Sequence, residues 1–148
     1  EHGECRSLGC RVRLNARTIT SKCDVIMEPW LGPRVGIVID CNNIEVMTNF
    51  WCAALRYKLR GDVGHFRSIV APGNDEPRII MQLVEEPRTS KNRLHIDIHA
   101  DDIEDEAIRI VGLGARRIDA TPKNEVGSRW IRMLDPEGNE FCIVEARG

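Results

Sequence analysis

The chain has 148 residues, with 21 Lys or Arg against 23 Asp or Glu and a formal net charge of −2. At 42% hydrophobic it has the material for one packed domain, which excludes wholesale disorder. The near-neutral balance excludes a strongly basic nucleic-acid binder, and no apolar run approaches the ~20 residues that span a bilayer. Neither nucleic acid nor membrane is therefore expected as a partner.

Six cysteines are present: Cys5, Cys10, Cys23, Cys41, Cys52 and Cys142. None forms a Cys-x-x-Cys pair, so a zinc ribbon or a thioredoxin-type site has no support. The first residues, Glu1-His2-Gly3-Glu4, carry no apolar stretch of the secretory kind, so reduced thiols and a cytoplasmic location are expected. Residues 1–26 hold five basic and three acidic side chains, a net +2 that leaves −4 for the rest, and they show no clear period. The first Met is Met27. Residues 1–33 are expected to be an N-terminal extension outside the domain, and 34–148 the domain itself. A native extension that packs as an added strand is the alternative.

Beyond Pro33 the elements follow in order. Residues 34–41 alternate, with Val35, Ile37 and Ile39 on one face and Gly36, Val38 and Asp40 on the other, as in a strand. Asn42 offers a helix cap with Glu45 three residues later, and a helix over about 43–55 puts Ile44, Met47, Trp51 and Leu55 on one stripe. Residues 57–60 and 65–71 read as strands joined by Gly61-Asp62-Val63-Gly64, and Pro72-Gly73-Asn74-Asp75 reads as a turn. A fourth strand covers 78–84 and ends at Glu85-Glu86-Pro87.

The order then recurs. Residues 94–100 form a strand, and Asp101-Asp102-Ile103-Glu104 opens a helix near 102–112 with acids at its positive end. Ile103, Ala107, Ile110 and Val111 make its apolar stripe, and Gly112-Leu113-Gly114 stops it. Residues 115–119, 128–134 and 140–145 follow as strands, with Asp135-Pro136-Glu137-Gly138 as the last turn. Gly36 through Glu45 lies over His95 through Glu104, strand on strand and cap on cap. The simplest account is an α+β domain of two tandem βαβββ modules, about 34–84 and 93–146.

Three runs, Val38-Ile39-Asp40-Cys41 with Phe50-Trp51, Asn92-Arg93-Leu94-His95-Ile96-Asp97, and Asp135-Pro136-Glu137-Gly138-Asn139-Glu140-Phe141-Cys142, carry a family likeness. Over about 34–146 the chain resembles the glyoxalase-like branch of the vicinal-oxygen-chelate superfamily, which also holds bleomycin resistance proteins and extradiol dioxygenases. The resemblance implies curled mixed sheets around a central cavity, with a small-molecule site there that is often metal-dependent. It also implies a homodimer, the commonest closed oligomer.

In metal-using members the ligands come one from each of four strands. Carried over by position, those slots are Gly36, Gln82, His95 and Cys142, with Gln82 taken as the counterpart of Cys142. Gly36 has no side chain to ligate, and Cys142 is a soft donor among harder ones. Gln82 and His95 remain as the conventional metal candidates, with Asp97 or Asp40 needed to complete a site. His95, Asp97 and His99 share one strand face. Gln82, His95, Asp97 and Asp40 are expected to point into one cavity.

Two functions stay open. An enzyme of the lyase, isomerase or dioxygenase kind would use His95 or Asp97 as catalytic groups, with Asp40, Gln82, Cys142 and Arg132 binding the substrate. A metal-free ligand-binding or drug-sequestering protein needs only a concave apolar site with a few polar groups. The missing side chain at Gly36 favours that class, and the purely structural alternatives make His95 a hydrogen-bonded cavity residue, Cys142 and Trp51 packing, and Arg132 a solvated cation.

Overall fold

The structure, a computed structural model, describes residues 35–73 and 77–146. The expected extension, the first residue of the expected domain and part of the 72–75 turn lie outside these residues. Among the described residues no helix is long and apolar enough to cross a membrane.

The first module runs β1 (Gly36–Cys41), α1 (Ile44–Leu55), β2 (Lys58–Val63), β3 (Phe66–Val70) and β4 (Arg78–Leu83). The second runs β5 (Ile96–Ala100), α2 (Ile103–Val111), β6 (Arg116–Arg117), β7 (Lys123–Glu125), β8 (Ser128–Leu134) and β9 (Glu140–Glu145). The sheets have equivalent orders, β1-β4-β3-β2 and β5-β9-β8-β6, and each carries one parallel pair, β1 with β4 and β5 with β9. The duplication read from the sequence is thus a duplication of topology: Asn43 caps α1 and Asp102 caps α2.

Alternation decides which face of each sheet is covered. Ile37, Ile39, Ile79, Met81 and Ile69 of the first sheet, and Ile96, Ile98, Ile131, Met133 and Ile143 of the second, turn toward one continuous core. The helices fill that core with Met47, Phe50, Trp51 and Ala54 from α1, and Ile103, Ala107 and Ile110 from α2. Phe141 of β9 meets Trp51 at 5.4 Å between ring centroids, so the modules share a core. α1 has no basic residue in its last turn. Arg109 of α2 supplies that charge, donating to the carbonyls of Ala53 and Ala54 at 3.1 and 2.7 Å.

Four local readings are corrected. The hairpin between β2 and β3 turns at Gly64 and His65, with Gly64 at φ +58°, because Asp62 and Val63 already pair with Arg67 and Phe66. Gly61 instead sits where the ladder shifts register after Leu59. The strand read over 115–119 shrinks to β6, and β7 is an added strand paired with β8 through Val126 and Gly127, both at positive φ. The α1 cap is Asn43, whose side chain accepts from the Val46 N–H at 3.1 Å. Glu45 does not close a capping box there.

The carboxylate at the start of α1 comes from the other module. Glu137 accepts the backbone N–H groups of Asn42 and Asn43 at 2.8 and 2.6 Å. Asp135, fully buried, holds Glu137 in place: it accepts the N–H groups of Glu137 and Asn139 at 3.0 and 2.9 Å and the Asn139 amide at 2.8 Å. Gly138 closes the turn at φ +91°. Glu140 takes Arg88 at 2.6 Å and the Asn92 N–H at 3.1 Å, pinning the inter-module connection. The Asp135–Glu140 run is therefore a staple between modules.

Burial pushes the Asp135 carboxyl up, against hydrogen bonds from Asn139 and Glu137 and the nearby Trp51 indole, which itself meets no partner at hydrogen-bond geometry. Glu104, Glu106 and Asp119 shift the other way, held down by their hydrogen bonds from Arg117, Arg109 and Arg132. A lowered carboxyl stabilises the fold above its unfolded pKa, here the ordinary 4.5 or 3.8, and that contribution is lost as pH falls through the folded value. The raised Asp135 works in the opposite sense and moderates the loss. The thermal midpoint is expected to fall as pH drops from about 5 to about 3. A midpoint that rose over that interval in a thermal scan would contradict the pairing scheme.

Candidate metal centre

The face of the second sheet turned away from the core carries a cluster of polar and sulfur side chains. Asp97 of β5 lies opposite Cys142 of β9, which lies opposite Arg132 of β8. The next row is His99, Val144, Trp130 and Lys123 of β7. Residues opposite one another across strands share a face, so each row is a contact row. His95 enters just before β5, with its Nε2 3.3 Å from Asp97 Oδ1. Their side chains are 53% and 45% exposed, so both are open to ligands.

The donor atoms of His95, Asp97 and Cys142 all lie within 4.8 Å of one another. Imidazole nitrogen, carboxylate oxygen and thiolate sulfur are all zinc ligands, and three of them leave a fourth position open for water or substrate. Zinc bonds of ~2.0–2.3 Å set tetrahedral donors roughly 3.3–3.8 Å apart. The exposed His95 and Asp97 side chains would have to move inward to reach that spacing. Burial, then the charge and hydrogen bond of Asp97, pushes the Cys142 thiol up to about 11. An ion entering here has to displace the thiol proton. The donor set fits a borderline-soft divalent ion of the zinc kind better than a hard one.

A cavity of about 770 Å³ lies where β1, the connection before β5 and the 137–140 turn meet. Ile37, Val38, Leu94 and Ile96 give it apolar walls, and Asp40 and His95 are among its polar groups. His95 thus belongs to both the cavity and the donor cluster. Of the four residues expected to share a cavity, Asp40 and His95 line this one, while Asp97 and Gln82, like Cys142 and Arg132, are not among its lining.

Gln82 is placed differently from its expected role. It pairs with Asp40 across β1 and β4, whereas Cys142 pairs with Asp97. In the repeat Asp40 corresponds to His99, and His99 pairs with Val144. The counterpart of Gln82 is therefore Val144, and that of Cys142 is Ile80, two residues from the expected match. Gln82 lies on the first sheet, opposite Asp40 on one side and Phe66 on the other. Asp40 is exposed, and it is held in the β1–β4 ladder opposite Gln82. Trp51 is 1% exposed and packs edge-on against Phe50 and Phe141.

Arg132 has a partner that the sequence reading does not single out. Asp119, with its side chain 6% exposed, accepts the Arg132 backbone N–H at 3.0 Å, its Nε at 2.9 Å and its Nη2 at 2.7 Å. Lys123 stands 3.9 Å from the same carboxylate. Arg117 donates to the Asp119 carbonyl at 2.6 Å, fixing the loop that presents it. A lone Asp after an Arg-Arg pair gives little warning of this, since its partner lies on a strand beyond the unanticipated β7.

Comparison with known proteins agrees with this architecture. The family model of the glyoxalase-like domain matches residues 36–144. No curated protein matches the sequence at a significant level. Similar solved structures include a glyoxalase/bleomycin resistance protein/dioxygenase family enzyme from Burkholderia phytofirmans PsJN, 17% identical, TM-score 0.64, covering 76% of this chain and 97% of that one. A member of the same superfamily from Sphaerobacter thermophilus DSM 20745 is 21% identical, TM-score 0.62, covering 78% and 98%. The fosfomycin resistance protein FosX from Listeria monocytogenes is 13% identical, TM-score 0.63, covering 80% and 96%. At these identities the structural likeness is one of fold. With the family match spanning both modules, the chain belongs to the glyoxalase-like domain family.

Proposed function

We propose that this domain binds a divalent ion of the zinc kind through His95, Asp97 and Cys142 and acts there on a small oxygenated substrate, as a glyoxalase-like lyase, isomerase or dioxygenase. The reading rests on one observation: three donors of zinc-binding type converge within 4.8 Å on an open sheet face. Such an ion supplies Lewis acidity, polarising substrate oxygens. The chain's own residues hold it and shape the approach. Asp97 stands beside the His95 ring at 3.3 Å as the second donor, and the cavity that His95 lines receives the body of the ligand. Titration of chelator-treated full-length chain is expected to give one zinc per chain. His95→Ala, Asp97→Asn and Cys142→Ser should each weaken binding by more than the ~10–100-fold typical of losing an outer-shell partner. Equal zinc affinity in wild type and all three variants would end this reading.

One observation favours a second reading, a metal-free binding protein. With its thiol pushed up to about 11, Cys142 keeps its proton at neutral pH until something displaces it. The cavity, which the cluster meets only at His95, is large enough to enclose a small ligand without an ion. Chain isolated without chelators and free of stoichiometric metal, yet stabilised by a small ligand in a thermal-shift screen, would select it.

A further inference from the structure

We propose that Arg132, positioned by Asp119 and joined by Lys123, is an anion-recognition site beside the His95–Asp97–Cys142 cluster, so that the ligand of this face is a small organic oxyanion with an apolar body. The inference deepens the proposed metal-centre reading by naming its ligand class, but its groups lie on other strands and bind independently of an ion. Arg132 is directly across from Cys142, and its side chain is 45% exposed. Asp119 engages Nε and Nη2, while Nη1 makes no hydrogen bond among the described residues. The guanidinium is therefore held in one orientation with a donor still to give. That ordering lowers the entropy lost when an oxyanion binds.

The charge count supports an anion. Arg132 and Lys123 both stand against the one Asp119 carboxylate, so two cations meet one acid at this end of the face, while the other carboxylate, Asp97, stands at the far end of the Arg132–Cys142 row. The next row adds Trp130 and Val144, both part-buried, between Lys123 and His99. An oxyanion held by Arg132 and Lys123 would lay an aromatic or aliphatic body over Trp130 and Val144 toward His99, with Cys142 and Asp97 beside it in the neighbouring row. Phosphonates and carboxylates share this chemistry, and an oxygen of either can accept from the remaining Nη1.

The test measures binding of phenylphosphonate, benzoate and neutral benzyl alcohol to the full-length chain by calorimetry, with zinc content read separately. The expected result is that one or both anions bind, the stronger of the two identifying the preferred oxyanion, and that benzyl alcohol binds at least ten-fold more weakly. Arg132→Gln and Lys123→Gln should each weaken anion binding ten-fold or more while zinc per chain stays as in wild type. Should Arg132→Gln fail to fold by circular dichroism, Arg132→Lys and the exposed Lys123→Gln carry the test. Anion binding unchanged in the folded variants, matched by benzyl alcohol, or undetectable in wild type would overturn the proposal. Zinc-free chain that still binds anions through Arg132 would overturn the metal reading and uphold this one. Zinc-loaded chain that binds no anion would do the reverse.

Discussion

Asp135→Ala is expected to cost about 3–5 kcal/mol of unfolding free energy, one of the two largest effects of any single substitution considered for this chain. Asp135 is 0% exposed and accepts three hydrogen bonds, two of them from backbone N–H groups of Glu137 and Asn139. Alanine leaves those donors without their acceptor, at about 1–3 kcal/mol each. The loss also spreads, because the turn aims Glu137 at the start of α1 and places Glu140 against Arg88 and Asn92. Asp135→Asn keeps the shape and one acceptor oxygen and should cost less. Denaturant unfolding measures both. A loss under about 1 kcal/mol for the alanine variant would mean that the turn does not staple the modules.

Trp51→Ala is expected to cost a similar ~3–5 kcal/mol, through a cavity at the junction of the modules. The ring is 1% exposed and meets Phe50 and Phe141 edge-on at 5.3 and 5.4 Å between centroids. The core it shares is already closely filled, with Met47, Met81 and Ile143 fully buried in it, so collapse into that space is limited. Zinc affinity per folded molecule should be unchanged, because Trp51 is outside the donor cluster. If the variant were as stable as wild type but lost small-molecule binding, Trp51 would be a ligand contact, a role its place on the cavity lining permits.

The parts of this architecture that were legible in the sequence are local ones. The alternation of Gly36 to Asp40 and of His95 to His99, and the capping residues that follow, depend on neighbours a few residues away, so the duplication was visible. His95 and Asp97 share a face for the same reason, and the structure brings them together with Cys142. What was not legible is set by register between distant strands. Pairing Asp40 with Gln82 but Asp97 with Cys142 displaces Gln82 from its expected slot, and nothing in either strand alone encodes that offset. The α1 start is a second case: Glu137 reaches Asn42 and Asn43 from more than ninety residues away, so the nearer Glu45 was the natural but mistaken partner. Asp119 became meaningful only once β7 carried the chain back along β8 to bring Arg132 beside it.

The central claim is that Cys142 joins His95 and Asp97 around one ion, and cobalt(II) substitution tests it most directly. Cobalt takes zinc-type sites and reports its ligands in absorption. Chelator-treated chain titrated with cobalt(II) is expected to show a sulfur-to-cobalt charge-transfer band in the near ultraviolet and intense visible bands of tetrahedral coordination, saturating at one equivalent. Cys142→Ser should abolish the charge-transfer band, and His95→Ala should weaken the ion's hold. A titration giving only the faint spectrum of cobalt in water, unchanged by either substitution, would contradict the account.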